Sequence, residues 1–188
     1  MTVLPNICID CGMCSDGTMY RFAAIKDGDV LGPLKAAGAV FVTTEGETSF
    51  LLPCPAFRGG CCSIYETRPT ICSEYRCFLL RRYEAGEVSF EEAQALIIRT
   101  MALRDRVRPA LTAFAEPQTS QALSGLYRLM LAKFEAMPDP AASRREKADL
   151  LLDIAGLRVV LAREFEPRAS TDPVIADPRG EVDRTLGD

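Results

Sequence analysis

Cys8-Ile9-Asp10-Cys11-Gly12-Met13-Cys14 lies at the start of the chain and sets how the rest is read. A two-residue gap between cysteines lets two thiolates turn toward one centre, and the backbone N–H groups between them can donate to sulfur. Gly12, directly after Cys11, suits the positive φ that such a knuckle needs. Thiolates at this spacing fit zinc or an iron–sulfur cluster, because both favour soft sulfur donors. Three cysteines two residues apart, with a fourth from far along the chain, is the arrangement of a cubane site. The ferredoxin run continues with x3-Cys-Pro. Here Thr18 stands in that place, and Cys54-Pro55 is the candidate remote ligand.

The cysteines are unevenly spread. All eight, Cys8, Cys11, Cys14, Cys54, Cys61, Cys62, Cys72 and Cys77, precede Phe78, and the rest of the 188 residues has none. That length favours one domain, with room for an appended helical lobe. Hydrophobic residues make up 48%, enough for a sizeable core. Met1 to Asp10 has no basic stretch and no long apolar run, so no secretory signal is expected. No apolar run approaches the roughly 18 residues of a membrane span. A soluble cytoplasmic protein follows, in which thiols stay reduced and clustered cysteines hold metal. Four disulfides are the competing reading of an even cysteine count.

Lys+Arg is 22 against Asp+Glu 26, a net charge of −4, which makes a poor nucleic-acid binder. The chain has no His, which removes Ser-His-Asp triads, Cys-His dyads, imidazole metal ligands and imidazole acid–base catalysis.

Within the second group, Cys61 and Cys62 are adjacent and point apart in extended backbone, so they are not expected to serve one ion equally. Cys72 and Cys77 are five residues apart, about 140° around a helix. Both would face one ion only if that helix unwound or began late. Cys72 is therefore the safer ligand, in a helix N-terminal turn whose dipole favours thiolate.

Strands are expected at Tyr20–Ile25, Ala39–Thr43 and Ser49–Leu52, with a turn at Glu45-Gly46-Glu47. Pro53 to Cys62 reads as a loop. Pro69 is placed to begin a helix through Cys72 and Cys77 to Ala85, closed by Gly86. Ser89-Phe-Glu-Glu92 is a capping box, followed at helical spacing by Phe90, Ala93, Leu96, Ile97, Met101 and Val107. Pro109 is expected to kink or interrupt that helix. Residues 118–136 carry a stripe of Leu123, Leu126, Tyr127, Met130, Leu131 and Phe134. Ser143-Arg-Arg-Glu146 reads as a second capping box, opening a helix with Leu150, Leu151, Ile154, Leu157, Leu161 and Phe165 inside. The fold class expected is mostly α with a small β element. A cysteine-rich metal-binding lobe spans 1–86, a helical bundle 87–166 and a disordered tail 167–188.

Cys8-Ile-Asp-Cys11-Gly-Met-Cys14, then Cys54-Pro-Ala-Phe, then Cys62-Ser-Ile-Tyr-Glu-Thr-Arg-Pro69-Thr-Ile-Cys72-Ser-Glu-Tyr resembles the CxxCxxCC cysteine-cluster family, also called YkgJ-like. That family is described as a zinc- or iron-chelating domain, and the likeness covers about residues 8–77. By position, the resemblance implies ligands drawn from Cys8, Cys11, Cys14, Cys54, Cys62 and Cys72. The chain departs from the pattern at Ser15, where the family usually has a second cysteine of a pair. Cys77 is the candidate replacement, and Cys61 matches no family position. Some relatives are named flagellin lysine N-methylases, which associates the domain with methyl transfer. This chain shows no Gly-rich nucleotide loop after a strand.

Around the cysteines, Arg68 is expected to pair with a carboxylate or with the thiolates, with Tyr65 packed beneath it. Arg99, Arg104, Arg106 and Arg108 read as a solvated helix face. The function expected is a cysteine-cluster protein chelating zinc or an iron–sulfur centre. The alternatives are a cluster-dependent enzyme, by electron transfer or protein-lysine methylation, and an interaction module with a structural zinc site and a protein partner. Neither nucleic acid nor a membrane is expected as a partner.

Overall fold

The computed structural model describes residues 6–9, 11–115 and 121–166. It is mostly helical with a small antiparallel sheet. The expected tail at 167–188 lies outside the described residues.

Strands β1 (Phe22–Ala24), β2 (Phe41–Thr44) and β3 (Glu47–Leu51) form one sheet in the order β1-β3-β2. Ala23 and Phe41 both pair with Phe50 of the central strand. Glu45 and Gly46 join β2 to β3 with φ of 54° and 88°. That two-residue, left-handed turn matches the twist of the flanking strands. All three expected strands are present, with ends displaced by a few residues. A short helix, α1 (Gly32–Ala36), was not expected, because it buries only Leu34 and so carries no readable stripe.

Pro53 to Cys62 is not a plain loop. It holds a hairpin of β4 (Phe57–Arg58) and β5 (Cys61–Cys62), closed by Gly59-Gly60 with φ of 57° and 82°. Strands of two residues are too short to show alternation.

The single helix expected from Pro69 to Ala85 is two. α2 covers Thr70–Glu74 and α3 covers Phe78–Glu84, with Tyr75 and Cys77 extended between them at ψ of 129° and 164°. Two contacts hold the break. Cys77 Sγ accepts the Leu80 N–H at 3.4 Å and so caps α3, and the Tyr75 hydroxyl meets that of Tyr20 at 2.6 Å. Pro69 sits one residue before α2 rather than inside it. The orphan N–H of Thr70 is satisfied from a distance, by Asp29 Oδ1 at 2.8 Å.

The long helix α4 (Phe90–Thr112) opens with the expected capping box: Ser89 Oγ accepts the Glu92 N–H, and Glu92 Oε2 accepts the Ser89 N–H. It does not stop at Pro109, since Val107 and Leu111 on either side are buried in the core and keep the last turn helical. α5 spans Leu123–Glu135. Ser143 does not begin a helix. Asp139 caps α6 (Pro140–Glu146) through the Ala142 N–H at 2.8 Å, and Ser143 lies within it. Asp139 followed by Pro140 is the stronger start signal, since Pro needs no N–H partner in the first turn. α7 (Ala148–Val160) then runs into a π-helical turn, Leu161–Phe165.

Two apolar clusters result. Ala23, Leu34, Phe50, Leu52 and Ile71 form the sheet core. The larger helical core joins α3, α4, α5 and α7 and also takes in Ile7 and Met13 of the N-terminal segment. Cys11 and Cys77 pack against the helical core and Cys54 against the sheet core. Among the described residues, no helix is long and apolar enough to cross a membrane.

Candidate metal centre

The N-terminal knuckle is a tight backbone coil. Cys8 O accepts the N–H groups of Cys11 and Gly12, and Gly12 O accepts those of Ser15 and Asp16, all between 2.9 and 3.3 Å. Gly12 has φ of 61°, and a Cβ there would overlap the tip of the Phe57 ring. Phe57 thereby seats the β4–β5 hairpin on the knuckle. The Cys54 N–H donates to Ser15 O at 2.8 Å, which ties the Cys54 backbone to the end of the knuckle. Cys62 stands opposite Phe57 in the hairpin register. Cys72 follows on the first turn of α2, and Cys77 caps α3.

All eight cysteines are free thiols, so the four-disulfide alternative is absent from this geometry. Burial pushes the thiols up: Cys8 to about 11, Cys72 and Cys77 to about 12, and Cys11, Cys14 and Cys54 also upward. Cys8 and Cys72 keep an exposed edge, yet the protein around them is dense enough to disfavour charge. At Cys72 this overrides the help expected from the helix terminus.

The sulfurs also oppose one another's ionisation. Cys14 acts on Cys8, Cys11, Cys72 and Cys77. Cys54 and Cys62 act on Cys72, and Cys62 acts on Cys54. These influences link seven cysteines, Cys8, Cys11, Cys14, Cys54, Cys62, Cys72 and Cys77, through Cys14 and Cys72. Cys61 is exposed beside the Gly59-Gly60 turn and is not among the main influences on any of them. Among the described residues, no three Cys, Asp or Glu side chains converge closely enough to hold an ion as they stand.

Several contacts favour thiolate at these positions. Backbone N–H groups act on sulfur from Met13 at Cys11, from Ala56 and Phe57 at Cys54, and from Leu79 and Leu80 at Cys77. Arg68 and Arg76 favour ionisation of Cys8, and Arg68 also that of Cys72. Arg68 Cζ sits over the Tyr65 ring, 3.6 Å from its centroid, with Tyr65 beneath it as expected.

The arginine face of α4 is not simply solvated. Arg104 Nη1 pairs with Asp16 Oδ2 at 2.7 Å, with side-chain exposures of only 12% and 18%. Arg108 reaches the Asp16 carbonyl at 3.1 Å and Thr18 Oγ1 at 3.0 Å. These side chains clamp the segment just after Cys14 onto α4. They were missed because Arg alone does not reveal its partner; the only signal was Asp16 two residues beyond Cys14. Arg106 does lie at the surface, paired with Asp153. Below the clamp a cleft of about 440 Å3 opens between the knuckle, the hairpin and α4, bounded by Cys11, Phe57, Met101 and Arg104.

Compared with protein-family models, curated proteins and solved structures, the chain matches none at a significant level.

Proposed function

We propose that this chain is a metal-binding protein whose cysteine cluster chelates zinc or an iron–sulfur centre through thiolates, in the manner of the CxxCxxCC family it resembles. The observation that supports the reading is the mutual influence of seven cysteines, Cys8, Cys11, Cys14, Cys54, Cys62, Cys72 and Cys77, with backbone N–H groups at Cys11, Cys54 and Cys77 and two arginines at Cys8 offsetting part of the burial that favours the neutral thiol. Neutral thiols need no such donors, whereas metal-bound thiolates do. The donor set is all sulfur, which fits zinc and iron–sulfur clusters and disfavours magnesium or calcium. Convergence on a metal requires the side chains to rotate inward, with the knuckle backbone already coiled around them. Bound metal would supply the link between the sheet and helical cores, and an iron–sulfur centre would add electron transfer.

Elemental analysis with a visible spectrum, on protein purified without oxygen, tests this. About four iron and four sulfide per chain with broad visible absorbance means a cubane centre. About one colourless zinc per chain means a structural site. Absence of both metals from protein refolded with them under reducing conditions sinks the reading.

The cleft that opens on Cys11 supports a second reading, a cluster-dependent enzyme whose centre meets a small molecule there.

A further inference from the structure

We propose that the outer face of α7 is the contact surface between two copies of this chain, which pair with their α7 helices antiparallel about Gly156. The proposal does not depend on bound metal.

Asp149, Leu152, Gly156, Val159 and Arg163 fall alternately three and four residues apart, so they form one stripe along α7 and the π-helical turn that continues it. All five are exposed, Leu152 at 70% and Val159 at 55%. The opposite side of the helix already faces the core through Ile154, Leu157 and Leu161. A helix packed on one side is ordinarily polar on the other. Here none of the residues exposed between Asp149 and Arg163 carries a charge. A helix that is apolar on both sides has the pattern of one covered on both sides.

Gly156 is a separate observation. After proline, glycine is the least favourable residue in a helix interior. Packing within the chain does not ask for it: a Cβ there would meet Leu103 Cδ2 at 3.8 Å, an ordinary contact. A missing side chain does let a second helix come close at that point.

Charge selects a second copy as the occupant. The stripe is acidic at its first end and basic at its last, with Asp149 and Arg163 equally distant from Gly156 along the sequence. A two-fold axis at Gly156 with antiparallel helices sets Asp149 of each copy beside Arg163 of the other and lays Leu152 against the other copy's Val159. Parallel helices would bring like charges together. The apolar side chains supply the affinity, and the exposed charges set the direction. The stripe is about 21 Å long and roughly 10 Å wide, so two copies with their flanks bury on the order of 1,000 Å2. That is the lower end for a specific complex, and the dimer is expected to form and dissolve with concentration.

Analytical ultracentrifugation of the full chain, up to about 1 mM, tests this. Wild type is expected to dimerise reversibly. Leu152→Glu, at an exposed position, should stay folded and weaken the dimer at least about tenfold. Gly156→Ala should weaken it about tenfold while the thermal midpoint of the dilute monomer stays or rises, a split that a glycine serving only the monomer would not produce. Asp149→Lys and Arg163→Glu should each self-associate less than wild type, because like charges meet, yet an equal mixture of the two should pair as tightly as wild type. Leu152→Glu and Gly156→Ala decide the matter alone where a charge variant fails to fold.

A wild-type chain that stays monomeric up to about 1 mM overturns the proposal. Amide signals of residues 167–188 that then shift in Leu152→Glu would assign the face to that segment instead. Dimerisation untouched by Leu152→Glu moves the interface elsewhere. A mixture of folded charge variants no tighter than either alone overturns the antiparallel pairing.

Discussion

Gly12 answers two demands at once. Its φ of 61° lies in the left-handed region, and the Phe57 ring occupies the space a Cβ would fill. Gly12→Ala therefore loses about 1–2 kcal/mol to conformation and about 1–3 kcal/mol to overlap. Urea unfolding should show a loss of at least ~2 kcal/mol, and a variant within 0.5 kcal/mol of wild type, roughly the scatter of a surface change, would mean Phe57 is not seated there. Asp16 is the other decisive residue near the knuckle. It holds Arg104 through a bridge that is mostly buried and also accepts the Thr18 N–H at 2.8 Å. Asp16→Ala leaves the Arg104 charge with only the exposed Asp105 as partner, at an expected cost of about 3 kcal/mol. Arg104→Ala should lose less, because the Asp16 carboxylate left behind keeps Arg108 at 3.5 Å and the Thr18 N–H. Equal losses would count against the clamp.

At the scale of elements, α2 depends on a cap borrowed from a distant turn. Asp29 accepts both the N–H and the hydroxyl of Thr70, at 2.8 and 2.6 Å, and the Lys26 N–H at 2.9 Å. Burial alone would raise its pKa, but these hydrogen bonds and the Lys26 charge outweigh that and hold it below the ordinary carboxylate value. A depressed pKa contributes stability above the ordinary Asp value, and that contribution is lost as pH falls through the folded-state value. Asp29→Ala should thus cost about 1 kcal/mol at neutral pH and progressively less in acid. Denaturation curves at pH 7 and pH 3 check it; a constant gap would show that the carboxylate charge is irrelevant. Asp29 also marks what could be read in advance. Helices with a long apolar stripe and a local cap, such as α4, were legible, and so were strands of three or more residues. The break between α2 and α3 was not, because it depends on Cys77 capping from its own sulfur and on Tyr20 reaching Tyr75 from 55 residues away. The arginine clamp was not legible either, since it arises from packing between remote segments.

In the whole molecule the two cores are unequal. The sheet core has five fully buried apolar residues, whereas the helical core draws on α3, α4, α5 and α7. A core that small supplies little net stability once chain entropy is met, which is the situation in which a metal staple matters most. Cys11 and Cys77 pack on the helical core and Cys54 on the sheet core, so the metal proposed above would tie the weaker core to the stronger one. Removing it should not unfold the protein evenly. With a chelator present, amide exchange at Phe50 in β3 should accelerate at least 100-fold, a local loss of about 2.7 kcal/mol at 1.36 kcal/mol per tenfold. Exchange at Met130 in α5 should change by less than threefold. Cys11→Ser should reproduce the chelator's pattern and lose metal, since Cys11 lies in the knuckle and packs on the helical core. Cys61→Ser should keep both metal and protection, because that thiol is exposed and is not among the main influences on the other cysteines. If β3 and α5 loosen together, the helices depend on the metal as much as the sheet does. If neither loosens on removal of bound metal, the centre is not a staple, and its role has to be sought at the cleft on Cys11.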